Sequence, residues 1–163
     1  LMIAIAVLAV LATVALPGFR SVIKNNQAAT QANLMVASFN LARSEAAKRG
    51  VRVSVCSSTN LSTCSNATAW EDGWIVFTDA RGTAGVMDSD ADGSDVLIKV
   101  QESLKGETTV ADTGSATNVQ YQSTGLANAA AAFELRNVGC FGDSGRDINI
   151  SATGRVSATN VAC

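Results

Sequence analysis

The sequence has no histidine and one proline, Pro17, and only 5% of its residues are aromatic. The missing histidine removes the imidazole on which most general-base and triad chemistry near neutral pH depends, and with it a common zinc ligand. No G-x-S-x-G elbow and no phosphate-cradling glycine loop stands in its place. An enzyme does not emerge from these residues, and no cofactor is expected. Charge is also scarce: Asp, Glu, Lys and Arg make up 16%, with a formal net charge of −2. Such a chain lacks the cationic excess that holds nucleic acid non-specifically through its phosphates. What remains for that role is a local patch, Arg136, Arg146 and Arg155, if the C-terminal strands gather them on one face.

What is present begins at once. Residues 1–16 (LMIAIAVLAVLATVAL) carry no charge and run into Pro17-Gly18-Phe19-Arg20. A helix over this run would be ~24 Å long at 1.5 Å per residue, somewhat short of the ~30 Å hydrocarbon core of a bilayer. No basic region precedes it and no small-residue cleavage site follows, so it reads as a retained segment rather than a signal peptide, with further residues expected upstream. Leu1, Ile3, Ile5, Leu8, Leu11 and Leu16 supply its apolar packing surface. Pro17 lacks the N–H for one helical bond and crowds the preceding turn, so a bend or loosening is expected there.

Residues 20–49 turn Ala-rich and polar without proline or glycine, and Ala28, Met35 and Ala42 recur at seven, as do Leu34 and Leu41. The spacing predicts a second helical half continuing the first, with one apolar stripe. Lys48 and Arg49 suit a helix C-terminus and Gly50 supplies the stop. After Gly50 the pattern becomes Val51-Arg52-Val53-Ser54-Val55, a period of two that predicts a half-buried strand. Further strands are expected at 74–78, 96–101, 118–122, 132–136, 147–151 and 155–157, separated by Gly, Asn, Asp and Ser turns. Residues 127–132 read equally as a loop or a short helical turn. The organisation is α+β: residues 1–19 as the apolar half of a long helix, 20–50 as its amphipathic half, and 51–163 as an antiparallel β domain forming one unit with 20–50.

Four cysteines fall as Cys56 with Cys64 and Cys140 with Cys163. Neither spacing suits zinc, and the pattern reads as two disulfides in an oxidising compartment, although sequence leaves the other connectivities open. Loop closure would contribute about 2.5 kcal/mol for the short loop and about 3.5 for the long one. The acidic stretch Asp88-Ser89-Asp90-Ala91-Asp92 places oxygens at alternate positions as a calcium loop does, but Lys99 stands where the closing glutamate belongs, and a solvated turn is the favoured reading. Trp70 and Trp74 flank the turn signal Asp72-Gly73 and are expected to anchor the β core.

Local motifs go further. Leu41-Ala42-Arg43-Ser44-Glu45-Ala46-Ala47-Lys48-Arg49-Gly50, followed by residues 51–56, resembles the end of the long helix and first strand of the GspH/FimT/FimU family of type IV pilins and pseudopilins. Trp70-Glu71-Asp72-Gly73-Trp74-Ile75-Val76-Phe77-Thr78-Asp79 resembles that family's W-x-x-G-W-x-V-F-x-D strand, and residues 1–19 resemble the pilin N-terminal segment. Family members carry a phenylalanine and a glutamate just before a Leu-Met like Leu1-Met2, and the resemblance implies such a glutamate pairing with a neighbouring subunit's N-terminus. DNA-binding FimT-like members share Gly-Arg-x-Arg near the C-terminus, whereas this chain has Gly154-Arg155-Val156-Ser157 and Gly145-Arg146-Asp147-Ile148. The Cys140 and Cys163 spacing is similar to the C-terminal disulfide of FimU-type minor pilins. The resemblance therefore implies a FimU-type minor pilin that primes or caps a type IV pilus. Its implied partners are other minor and major pilins, the inner-membrane assembly platform, and lipid before assembly. The expected location is the bacterial inner membrane, head in the periplasm, and then the pilus tip. A FimT-like DNA receptor and a GspH-like secretion pseudopilin are the alternatives.

Overall fold

The computed structural model describes residues 2–80, 83, 85–87, 95–140 and 142–163, and of residues 5–20 the backbone alone. The two helical halves expected from the sequence are one element, α1 (Met2–Arg49), which continues through Pro17. At 1.5 Å per residue it is ~72 Å long. Gly50 ends it as expected: its φ of +70° is one that glycine tolerates, and its N–H closes the last turn on Ala46 O at 3.0 Å.

Eight strands follow: β1 (Val53–Ser57), β2 (Gly73–Thr78), β3 (Leu97–Glu102), β4 (Thr108–Asp112), β5 (Asn118–Tyr121), β6 (Ala131–Asn137), β7 (Gly145–Ile150) and β8 (Val156–Val161). They form two antiparallel four-stranded sheets, ordered β3-β2-β1-β5 and β4-β6-β7-β8. Both sheets turn apolar residues toward α1. Val53, Val55, Trp74, Val76 and Tyr121 from the first and Phe133, Leu135, Ile148 and Ile150 from the second close one core around the helix.

Three differences from the sequence reading have physical causes. β1 is buried on both faces rather than one. Its outer face carries Cys56, which with Ile75 and Phe77 forms a second small core packed by Cys64 and Met87. β4 was not expected: it holds one large apolar residue, Val110, and its pattern is carried by the alternately buried Thr108 and Val110. β8 extends to Val161, because hydrogen bonding to β7 holds polar residues that packing alone would not order. Of the two readings left open for residues 127–132 the loop is the one found: Ala127 bridges to Tyr121 and β6 begins at Ala131.

Candidate functional site

Helix α1 packs along one face against both sheets. Ala28, Ala32, Met35, Phe39, Ala42 and Ala46 recur every three or four residues and are all buried. Alanine at four of these six positions lets the sheets approach α1 closely. The large members fill the centre: Phe39 lies 5.4 Å from Phe133 and 6.0 Å from Trp70 between ring centroids, and Trp70 meets Phe133 edge-on at 4.9 Å. Phe39 thereby joins the helix to the second sheet and to the turn before β2. Both tryptophans are fully buried, and Trp70 Nε1 donates to Ala116 O at 3.0 Å. The opposite helix face, with Asn26, Thr30, Asn33, Ala37, Asn40 and Ser44, is exposed or nearly so and uncharged.

Where α1 meets the lower edge of the head, polar side chains clamp it. Lys24 Nζ donates to Val138 O, while Asn137 Nδ2 donates to Lys24 O at 3.1 Å. Arg146 Nη2 donates to Asn25 Oδ1 at 2.7 Å; Arg146 itself is only 7% exposed and also donates to Asp143 O and Gly145 O. Gln27 and Gln31 both donate to Lys105 O, and Thr108 Oγ1 donates to Gln31 Oε1 at 2.8 Å. Further along, Lys99 reaches Ser38, and Arg43 donates to Gly125 O and Thr153 O. Among the described residues Lys24 and Asn25 are the first helix side chains to bond the head. Beside them Val22 and Ile23 are 58% and 63% exposed. A groove of about 430 Å³ runs between Asn26, Thr30 and Leu34 of the helix and the 101–105 turn.

Just past the end of β2, Asp79 is buried and organises three segments. Its Oδ2 accepts from Ser54 Oγ at 2.6 Å, Gln120 Nε2 at 2.6 Å and the Gly85 N–H at 2.7 Å, and Arg52 Nη2 lies 3.8 Å from Oδ1. Tyr121, the chain's one tyrosine, buries a hydroxyl with no hydrogen-bond partner among the described residues, and desolvation raises its pKa well above the usual phenol range despite Arg43 nearby.

The residues singled out in the sequence fall as follows. Cys56–Cys64 and Cys140–Cys163 are bonded, with Cα separations of 5.5 and 5.7 Å. Ile3 is exposed on α1; Ile5, Leu8, Leu11, Leu16 and Pro17 lie on its backbone with side chains outside the described residues, as does the whole of Leu1. Among the described residues no helix is long and apolar enough to cross a membrane, and no acidic, cysteine or histidine cluster could hold a metal. Asp88, Asp90 and Asp92 lie outside them. The three arginines are not gathered as a free cationic face. Arg136 bonds Asp147 at 3.1 Å and Glu134 at 3.4 Å, Arg146 is buried in the clamp, and Arg155 is exposed beyond β7. The clamp itself was not foreseen. Its only trace in the sequence is Gln27 and Gln31, four apart and flanking the alanines of the stripe.

None of the curated proteins matches the chain. The fold is shared by solved structures at low identity. The type IV minor pilin FimU of Pseudomonas aeruginosa aligns with a TM-score of 0.63 and 18% identity, over 82% of this chain and 89% of that one. A second crystal form of FimU gives 0.59 and 18%, over 80% and 90%. The minor pseudopilin EpsH of the Vibrio cholerae type 2 secretion system gives 0.57 and 13%, over 82% and 97%. The model of the family described as type II transport protein GspH matches residues 31–154, from the clamped part of the helix to the turn before β8, and to that family this chain belongs.

Proposed function

We propose that this chain is a non-enzymatic minor pilin that joins other pilins in a complex priming or capping a type IV pilus. The observation that carries the reading is the division of α1. From Ala28 onward its buried stripe is part of the head's core, whereas the sequence before Pro17 is an uncharged apolar run. A helix so divided suits a subunit whose residues 1–19 sit in the inner membrane before assembly and among other helices afterwards. Its head, residues 20–163, stays folded outside the cell under two disulfides. The likeness to FimU is what supports a pilus in particular. The test is the amount of sheared surface pili in a strain lacking the gene, against a complemented control. A sharp drop supports the priming role; normal pili overturn it.

A secretion pseudopilin is the second reading, favoured by the family description and by the likeness to EpsH. It predicts normal pili and a loss of type II substrates from the culture medium in the same strain. DNA reception draws least support, since Arg136 is engaged by carboxylates and Arg146 by the helix. It predicts a salt-sensitive shift of duplex DNA by the purified protein.

A further inference from the structure

The end of the head nearest the apolar run carries exposed apolar side chains from two distant parts of the chain. Val22 and Ile23 of α1 are both more than half exposed, and Val138, in the turn after β6, is 54% exposed. Lys24 Nζ donates to Val138 O and Asn137 Nδ2 donates to Lys24 O, which sets this turn at the helix level of Lys24, next to Ile23 and Val22. The turn is fixed there. Its Val138 N–H donates to Glu107 O at 2.7 Å, its Cys140 N–H to Asn137 O at 2.8 Å, and the Cys140–Cys163 bond ties it to the C-terminus. Three exposed apolar residues at one level of the molecule form a patch, whereas singly scattered ones are ordinary surface.

We propose that this end of the head rests on a lipid bilayer before assembly, with Val22, Ile23 and Val138 seated at headgroup level. The proposal rests on the membrane reading of residues 1–19 and adds a contact made by the head itself. Consecutive helix residues point about 100° apart, so one neighbouring helix cannot cover Val22, Ile23 and the head's Val138 together. A plane crossing α1 at this level meets all three. Polarity changes at the same place, since Lys24, Asn25, Asn26 and Gln27 follow Ile23. Length agrees as well: residues 1–16 give ~24 Å of helix, short of the ~30 Å hydrocarbon core, whereas residues 1–23 give ~35 Å. Arg20 within that span is tolerable, because arginine lays its stem along apolar surface while its guanidinium reaches the headgroups. Lys24 and Lys105 at this end are offset by Glu107 and Asp143, so the contact is one of apolar burial rather than of attraction to anionic lipid.

The test uses the full chain in vesicles of phosphatidylethanolamine and phosphatidylglycerol with brominated acyl chains, which quench tryptophan only at short range. Trp70 and Trp74 are fully buried in the head and supply a constant background. Ile23→Trp reports the helix at this level, Val138→Trp the head, and Leu126→Trp the opposite end, where the neighbouring Gly125 O accepts from Arg43. All three positions are exposed, so the core is untouched. The added emission is expected to be largely lost in Ile23→Trp and Val138→Trp and kept in Leu126→Trp. Should Val138→Trp fail to fold, Asp143→Trp reads the same contact, because Asp143 is exposed and shares a pocket with Val22 and Asn25. A chain that floats with the vesicles while Val138→Trp stays unquenched overturns the proposal and leaves the membrane reading standing. Quenching in Leu126→Trp as well overturns it in favour of a head lying on its side. A chain that does not float overturns the membrane reading and the proposal together.

Discussion

Tyr121 and Phe39 show how single side chains set the character of the core. The Tyr121 hydroxyl is buried without a partner among the described residues, so Tyr121→Phe keeps the ring and removes an uncompensated polar group. The variant should be more stable by about 1 kcal/mol in urea denaturation. Burial holds the tyrosine's folded-state ionisation above that of the unfolded chain, near pH ~10. Its contribution is therefore fully present below pH ~10 and is lost as pH rises further, while the unfolded chain ionises and the folded one resists. Because no other tyrosine is present, phenolate absorbance reads this group alone. Wild type should lose stability more steeply above pH ~10 than Tyr121→Phe. Phe39→Ala removes the ring shared by the helix, Trp70 and Phe133, and should cost about 3–5 kcal/mol on the same denaturation curve.

At the scale of elements, the clamp makes a separable prediction. Arg146→Met keeps a long side chain but drops the bonds to Asn25, Asp143 and Gly145. It should leave the strands intact while raising hydrogen exchange at Lys24 to Gln27, because the apolar stripe that holds the helix begins at Ala28. An unchanged exchange pattern would show that the stripe alone holds this end. The contrast between stripe and clamp also explains what the sequence made legible. Ala28, Met35 and Ala42 announced the helix because packing repeats every turn, and Gly50 announced its end because few other residues accept its backbone. β1 and the tryptophan strand were visible through alternating or concentrated apolar residues. β4 and the far half of β8 were not, since their order comes from backbone pairing with β6 and β7, which leaves little mark on composition. The clamp was invisible for a related reason: Lys24 and Asn137 sit far apart in the chain, and only topology brings them together.

At the scale of the whole molecule, the disulfides bear on a head with one principal core shared among a helix and two sheets. Cys56–Cys64 closes a loop of 8 residues and Cys140–Cys163 one of 23. Loop-closure entropy then assigns about 2.5 and about 3.5 kcal/mol. Together these are comparable with the ~5–15 kcal/mol net stability of an ordinary domain. Reducing agent should therefore lower the urea midpoint strongly. Replacing Cys140 and Cys163 by serine should cost more than replacing Cys56 and Cys64, and should expose β7 and β8 first to protease.

The distribution of the helix contacts also has a mechanical meaning. The bonds from Lys24, Asn25, Gln27, Gln31, Ser38 and Arg43 are spread along successive turns of α1 and end on β3, β4, β6, β7 and the loops between them. A pull along the helix axis strains many of them at once, whereas a pull across it opens them one after another from Lys24. The head is thus built to resist tension directed along its stalk and to yield to peeling.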